Sequence, residues 1–199
     1  MLLLLLTAIV AGCAGEADEP AASFTAADAH RLAKMAPSSP GWDWPAKPSD
    51  TGVSDPDDEV PETAEDSNVA VLYDAIRDLE ELGGASRKWT DDDKLANLNV
   101  SAWATSSDAR EATNAYRKFL HAWGDGDFGE VTKDEDVEGL GDAAWVSWIE
   151  GNGTQVTYEV RLGNLLVATH VHCYGSCPED VDGTARAWAE AIETEARGP

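Results

Sequence analysis

The sequence predicts an α+β fold: an antiparallel sheet of about five strands with helices packed on one face, in the order α-β-β-α-β-β-β-α. Three observations carry this. Val156, Tyr158, Val160 and Leu162 alternate with Gln155, Thr157, Glu159 and Arg161, and Gly163-Asn164 supplies a two-residue hairpin turn before Leu165. Ala109, Ala112, Tyr116, Phe119, Leu120 and Trp123 recur at helical spacing. Pro178 precedes a second such run, made of Val181, Thr184, Ala185, Trp188, Ala191 and Ile192.

Taken in order, the folded domain is placed at 68–197. It opens with a helix in which Val69, Leu72, Tyr73, Ile76, Leu79 and Leu82 share a face, with Asp66, Ser67 and Asn68 as caps and Gly83-Gly84 as the stop. Two strands follow, Arg87 to Thr90 and Leu95 to Thr105, joined by Asp91-Asp92-Asp93-Lys94; in the second, Leu98, Val100, Ala102 and Ala104 lie on one side. The second helix runs from about Ser107 to Trp123, with Asp108 and Glu111 in its first turn, where acidic residues complement the helix dipole. A Gly- and Asp-rich loop leads to Gly139-Leu140-Gly141-Asp142, a strand covers Ala143 to Ile149, and the hairpin and closing helix complete the chain. The Gly163-Asn164 turn sets the hairpin register: Leu162 faces Leu165, Val160 faces Val167, Tyr158 faces Thr169 and Val156 faces Val171.

Upstream of the domain the chain changes character. Residues 2–12 are an apolar run, too short for a bilayer core of about 30 Å, which needs roughly 20 residues, but the size of a signal-peptide hydrophobic segment. It ends in Val10-Ala11-Gly12-Cys13, which resembles the bacterial lipobox, although no Lys or Arg precedes it. Cys13 is therefore expected to carry a diacylglyceryl group and to anchor the protein in the cell membrane on its extracytoplasmic face. Residues 13–67 read as an acidic, Pro-rich tether, in which only Ala26 to Met35 has helix-like spacing, and in which Trp42 and Trp44 stand out. In an exported chain the remaining pair, Cys173 and Cys177, is expected to form a disulfide closing a small loop.

Composition narrows the function. The 199 residues carry 38 acidic and 14 basic side chains, a net charge of −24, and the basic residues are scattered. Such a chain repels a phosphate backbone, which excludes nucleic acid as a partner, while it steers cations toward itself.

Trp89-Thr90, the following strand, the Ala-rich helix, Gly139-Leu140-Gly141-Asp142-Ala143, Val160-Arg161-Leu162-Gly163-Asn164-Leu165 and the closing helix together resemble a group of uncharacterised actinobacterial lipoproteins. That group looks related to the extracytoplasmic sensor domains of mycobacterial receptor Ser/Thr kinases. The resemblance covers roughly 86–197 and implies a sheet domain with a groove that binds a ligand or partner. It carries over no catalytic residue.

Three constellations could bear chemistry. His170 and His172 share one strand face, with Thr157 opposite His170, Gln155 opposite His172 and Glu159 one step diagonal. Two imidazoles and a carboxylate are a Zn or Cu donor set, although a third His is missing nearby, and the plainer reading of the same residues is polar groups on a partly solvated sheet face. Asp125, Asp127 and Asp136 offer oxygens at intervals like a calcium loop, with glycine misplaced for an EF-hand. Trp103 lies on the polar side of its strand with Asn97, Asn99 and Ser101, and is the domain tryptophan expected to face a ligand.

No Gly-x-Ser-x-Gly elbow, phosphate-cradling Gly loop or His-Glu-x-x-His is present. The expectation is a non-enzymatic envelope lipoprotein without a cofactor, binding a small ligand or an envelope protein. An envelope hydrolase and a purely structural envelope protein are the alternatives.

Overall fold

The alternation of apolar and polar residues around Gly163-Asn164 produces the hairpin it predicts. Strands β6 (Gly153–Leu162) and β7 (Leu165–Cys173) pair antiparallel, with Leu162 opposite Leu165, Val160 opposite Val167, Tyr158 opposite Thr169 and Val156 opposite Val171. Gly163 takes a positive φ of 59° at the turn, where a side chain would be strained. The computed structural model describes residues 23–36, 50–54, 72, 75–123, 129–175 and 180–198, with backbone alone at 50–54 and 122–123.

Around this hairpin the sheet adds β1 (Asp50–Ser54), β2 (Glu81–Thr90), β3 (Lys94–Trp103), β4 (Gly129–Asp136) and β5 (Ala143–Gly151), in the spatial order β1-β2-β3-β7-β6-β5-β4, every pair antiparallel. The sheet therefore has more than the expected five strands: six belong to the domain proper, and β1 extends one edge. The unexpected β4 has the sequence Gly-Glu-Val-Thr-Lys-Asp-Glu-Asp. It is an edge strand, and charged edges resist further pairing, so the apolar alternation that identifies inner strands is absent.

The helix expected through Leu82 ends earlier. Leu72, Ala75 and Ile76 are helical, the chain turns over 77–79, and Glu81 begins β2. Gly83 and Gly84 lie inside that strand rather than at a helix stop. A register shift falls between Glu81 and Gly83, and a Cβ on Gly83 would come within 3.0 Å of the Ala26 Cβ. The glycine thus admits a helix against the strand.

That helix is α1 (Ala26–Leu32), which the sequence placed in the tether. Thr25 and Asp28 cap each other reciprocally at its start, and Ala29 and Leu32 are fully buried. Asn164 secures the preceding residue, accepting from the Phe24 amide at 2.7 Å and donating to the Phe24 carbonyl at 2.9 Å. The folded unit thus begins well before residue 68.

Alternation gives the sheet two different faces. On one, Val100, Leu98, Val156, Val160, Val167 and Val171 form the main core with α1 and with α3 (Val181–Arg197). Asp180 caps α3 by accepting from the Gly183 amide at 2.8 Å. Trp188 of α3 meets Trp89 edge to face, with ring centroids 5.4 Å apart, and donates its indole N–H to the Met35 carbonyl at 3.1 Å. The opposite face is covered by α2 (Ser106–Trp123), whose Ala109 and Ala112 pack on Trp103 and Leu166, while Leu120 packs on Trp145 and Ile149. The helices accordingly occupy both faces, not one. Asn97, Asn99, Thr157 and Glu159 made the second face read as solvated, but the apolar residues among them give α2 its seat.

Candidate functional site

A helix laid on a face that is partly polar packs tightly only where apolar side chains meet. Here that happens at two places along α2, and elsewhere a cleft of about 580 Å³ opens between α2 and the sheet. Its helical wall is Tyr116, Phe119 and Leu120; its floor is the polar set of three neighbouring strands, Asn97 and Asn99 of β3, His170 and His172 of β7, and Gln155 and Glu159 of β6. The register explains the convergence. Asn97 stands opposite His170 and His170 opposite Thr157, while Asn99 stands opposite Ala168 and Ala168 opposite Glu159, so all point toward α2.

Glu159 is the unusual member. It is 1% exposed, and neither carboxylate oxygen has a hydrogen-bond partner. Burial pushes its pKa well above the ordinary carboxylate range, outweighing the opposing pull of the Thr113 hydroxyl, the Trp145 indole and the Arg117 guanidinium. Arg117 is engaged elsewhere: it pairs with Asp134 and Asp136 of β4 at 2.8 Å each and lies over the Trp145 ring. His121 also bonds Asp134, so this acidic and basic cluster fastens the edge strand to α2. Burial thus favours the neutral carboxylic acid form of Glu159, whose residue lines the floor of the cleft.

The two imidazoles are neutral as well. Burial pulls the His170 pKa down to about 4, and its Nδ1 is 2.8 Å from the Thr157 hydroxyl. His172 is also shifted down by burial and stacks on Tyr174 at the cleft mouth, with centroids 4.1 Å apart. The floor thus presents neutral donors and acceptors beneath aromatic and aliphatic walls, the usual composition of a small-molecule site.

Among the expected site residues, Glu159, His170 and His172 line one cleft, yet among the described residues no group of three or more His, Cys, Asp or Glu is placed to hold a metal ion. Trp103 is not a ligand contact. It is 1% exposed beneath Ala109, Ala112 and Leu166, and its indole N–H donates to Ser101 Oγ at 3.0 Å. Asp136, the described member of the calcium expectation, ends strand β4 in an ion pair with Arg117. Asp125 and Asp127 lie outside the described residues, as do Cys13, Trp42, Trp44 and Cys177. Cys173 is buried at the end of β7.

Sequence reasoning missed Asn99, Tyr116 and Phe119 as cleft residues. A signal existed: polar residues at alternate positions of three adjacent inner strands are costly beneath a helix unless the space between them is used.

No known family's sequence profile matches the chain, and no curated protein matches it in sequence. Its backbone is similar to the extracellular domain of PknH from Mycobacterium tuberculosis, at 13% identity and a TM-score of 0.42 over 88% of this chain and 92% of that one. It is also similar to an uncharacterised Mycobacterium smegmatis protein, the ortholog of Rv0999, at 10% identity and a TM-score of 0.33 over 74% of this chain and 83% of that one.

Proposed function

We propose that this chain is a lipid-anchored extracytoplasmic binding module, without enzymatic activity, whose cleft between α2 and the sheet takes a small organic ligand. The observation that carries the reading is the cleft itself: about 580 Å³, walled by Tyr116, Phe119 and Leu120 and floored by Asn, Gln and His side chains, with the buried carboxyl of Glu159 short of hydrogen bonds. The anchor rests on Val10-Ala11-Gly12-Cys13, and a Cys173–Cys177 disulfide would fix the corner between β7 and α3.

Hydrolysis fits the site less well. Glu159 is the only carboxylate among the described residues lining the cleft, so the paired acids of a glycosidase are missing there. The Thr157 hydroxyl that touches His170 is fully buried and has no path to a substrate carbonyl.

Native mass spectrometry of the intact chain, purified from membranes, tests the reading. A retained small mass that leaves on unfolding is expected, and Ala168→Phe, which fills the space opposite Glu159, should abolish it while keeping the circular dichroism spectrum. A bare mass in both proteins would count against a ligand-binding cleft and in favour of a structural role.

A further inference from the structure

Glu159 is placed where a carboxyl group is expensive, with the Thr113 hydroxyl, the Trp145 indole and the Arg117 guanidinium as its polar neighbours but no hydrogen bond of ordinary geometry. It is 1% exposed, neither oxygen makes a hydrogen bond within ordinary geometry, and the residue lines the cleft floor beside small Ala168. A glutamine or a leucine would fill the same position at lower cost, which makes the carboxyl informative about what enters.

Every charged or titratable group that faces it is accounted for. From α2, Arg117 is held by Asp134 and Asp136 on the rim side, and Tyr116 contributes a phenol. From β5 comes Trp145, an uncharged neighbour. From β7, His170 and His172 are both disfavoured as cations by burial. Lys88 of β2 also borders the cleft, but β3 and β7 separate its strand from β6, which puts it about 14 Å away at the usual strand spacing. Among the described residues, the cation that acts on Glu159 is Arg117, and its ion pairs are made to Asp134 and Asp136 instead.

We propose, building on the binding-module reading above, that the cleft is selective for an organic ligand bearing a single ammonium group on an apolar body, with Glu159 as the residue that reads the charge. The volume suits an organic molecule rather than a bare ion, and Tyr116, Phe119 and Tyr174 give the lining an aromatic character suited to an apolar body that carries a cation. A net charge of −24 concentrates cations near the mouth. Binding balances as follows: whatever proton the Glu159 carboxyl holds passes to solvent as the ammonium arrives, leaving a carboxylate paired with the ligand's N–H groups.

The test titrates the intact chain with 2-phenylethylamine and with 2-phenylethanol, a neutral probe of the same shape, at pH 7 in phosphate and in Tris. The amine is expected to saturate about tenfold or more tighter than the alcohol. Its apparent enthalpy should differ between the buffers as required by release of up to one proton per ligand. Glu159→Gln should erase the preference, so that amine and alcohol bind alike, and should abolish the proton release. Because the buffer comparison uses the wild-type protein, it decides the matter even if that variant folds poorly. Equal binding of the two probes with no proton release overturns the ammonium selectivity and leaves the binding module standing. Failure of both probes to saturate at millimolar concentration, together with a bare native mass, overturns both.

Discussion

The two faces of the sheet are built by the same strands and do opposite things. The face under α1 and α3 is closed: Leu98, Val156, Val171, Ala185, Trp188 and Ile192 are at or near complete burial, and even Thr169 there satisfies its hydroxyl on the Ala185 carbonyl at 3.1 Å. The face under α2 is open: its tight contacts are confined to the Trp103 and Trp145 patches, and between them lie an unpaired carboxyl and two neutral histidines. Alternation along a strand thus lets one residue stabilise while the next is spared for recognition. The difference also shows which face the domain depends on to fold.

The largest effect should come from the closed face. Trp188→Ala removes a fully buried ring that packs on Trp89 and binds the Met35 carbonyl, and is expected to cost about 3–5 kcal/mol in urea denaturation. Phe119→Ala, on the cleft wall, should cost clearly less while weakening ligand retention, because its ring already borders open space. Equal losses from the two would erase the contrast between the faces.

Leu32→Ala sharpens the comparison by asking whether α1 truly closes its face. A tethered helix would lose almost nothing; the buried Leu32 seen here should cost about 2–4 kcal/mol, measured in the same denaturation experiment.

The smallest effect separates the faces by pH. His170 falls from 6.5 to about 4 on folding, so the unfolded chain takes up its proton first and stability declines as pH drops through that interval. Glu159 acts in the other direction. Its folded pKa lies well above 4.5, so its contribution is present below 4.5 and is lost as pH rises toward the folded value. From 4.5 to 6.5 the two oppose each other. Glu159→Gln should leave stability rising with pH across that interval, while His170→Asn should leave it falling. Parallel pH profiles of urea midpoint for wild type and both variants would show that neither group is buried as described.

Much of the fold could be read in advance because its signals are local. Val156 to Leu162 and Leu165 to Val171 specify a register that the structure reproduces pair by pair, since a slip of one residue would turn every valine to the polar face. The 106–123 and 181–197 helices follow their apolar spacing, and reciprocal hydrogen bonds between Thr105 and Asp108 start the first of them. Even the shared face of Glu159, His170 and His172 follows from alternation. Trp103 was misjudged for an equally physical reason: its neighbours Asn97, Asn99 and Ser101 are polar, and only the helix that begins three residues later shows that its own position is covered.

By itself, then, the sequence determined which residues share a face, where strands and helices run in the central part of the chain, and how the hairpin is paired, because these depend on periods of two and 3.6 residues and on one turn. Tertiary structure alone decided that α1 completes the core, that the charged segment Gly129–Asp136 becomes an edge strand, that α2 roofs the polar face, and that Glu159 is left buried without a partner. Each of those outcomes depends on what packs across from a residue. That is a contact between segments far apart in the chain, and no local period encodes it.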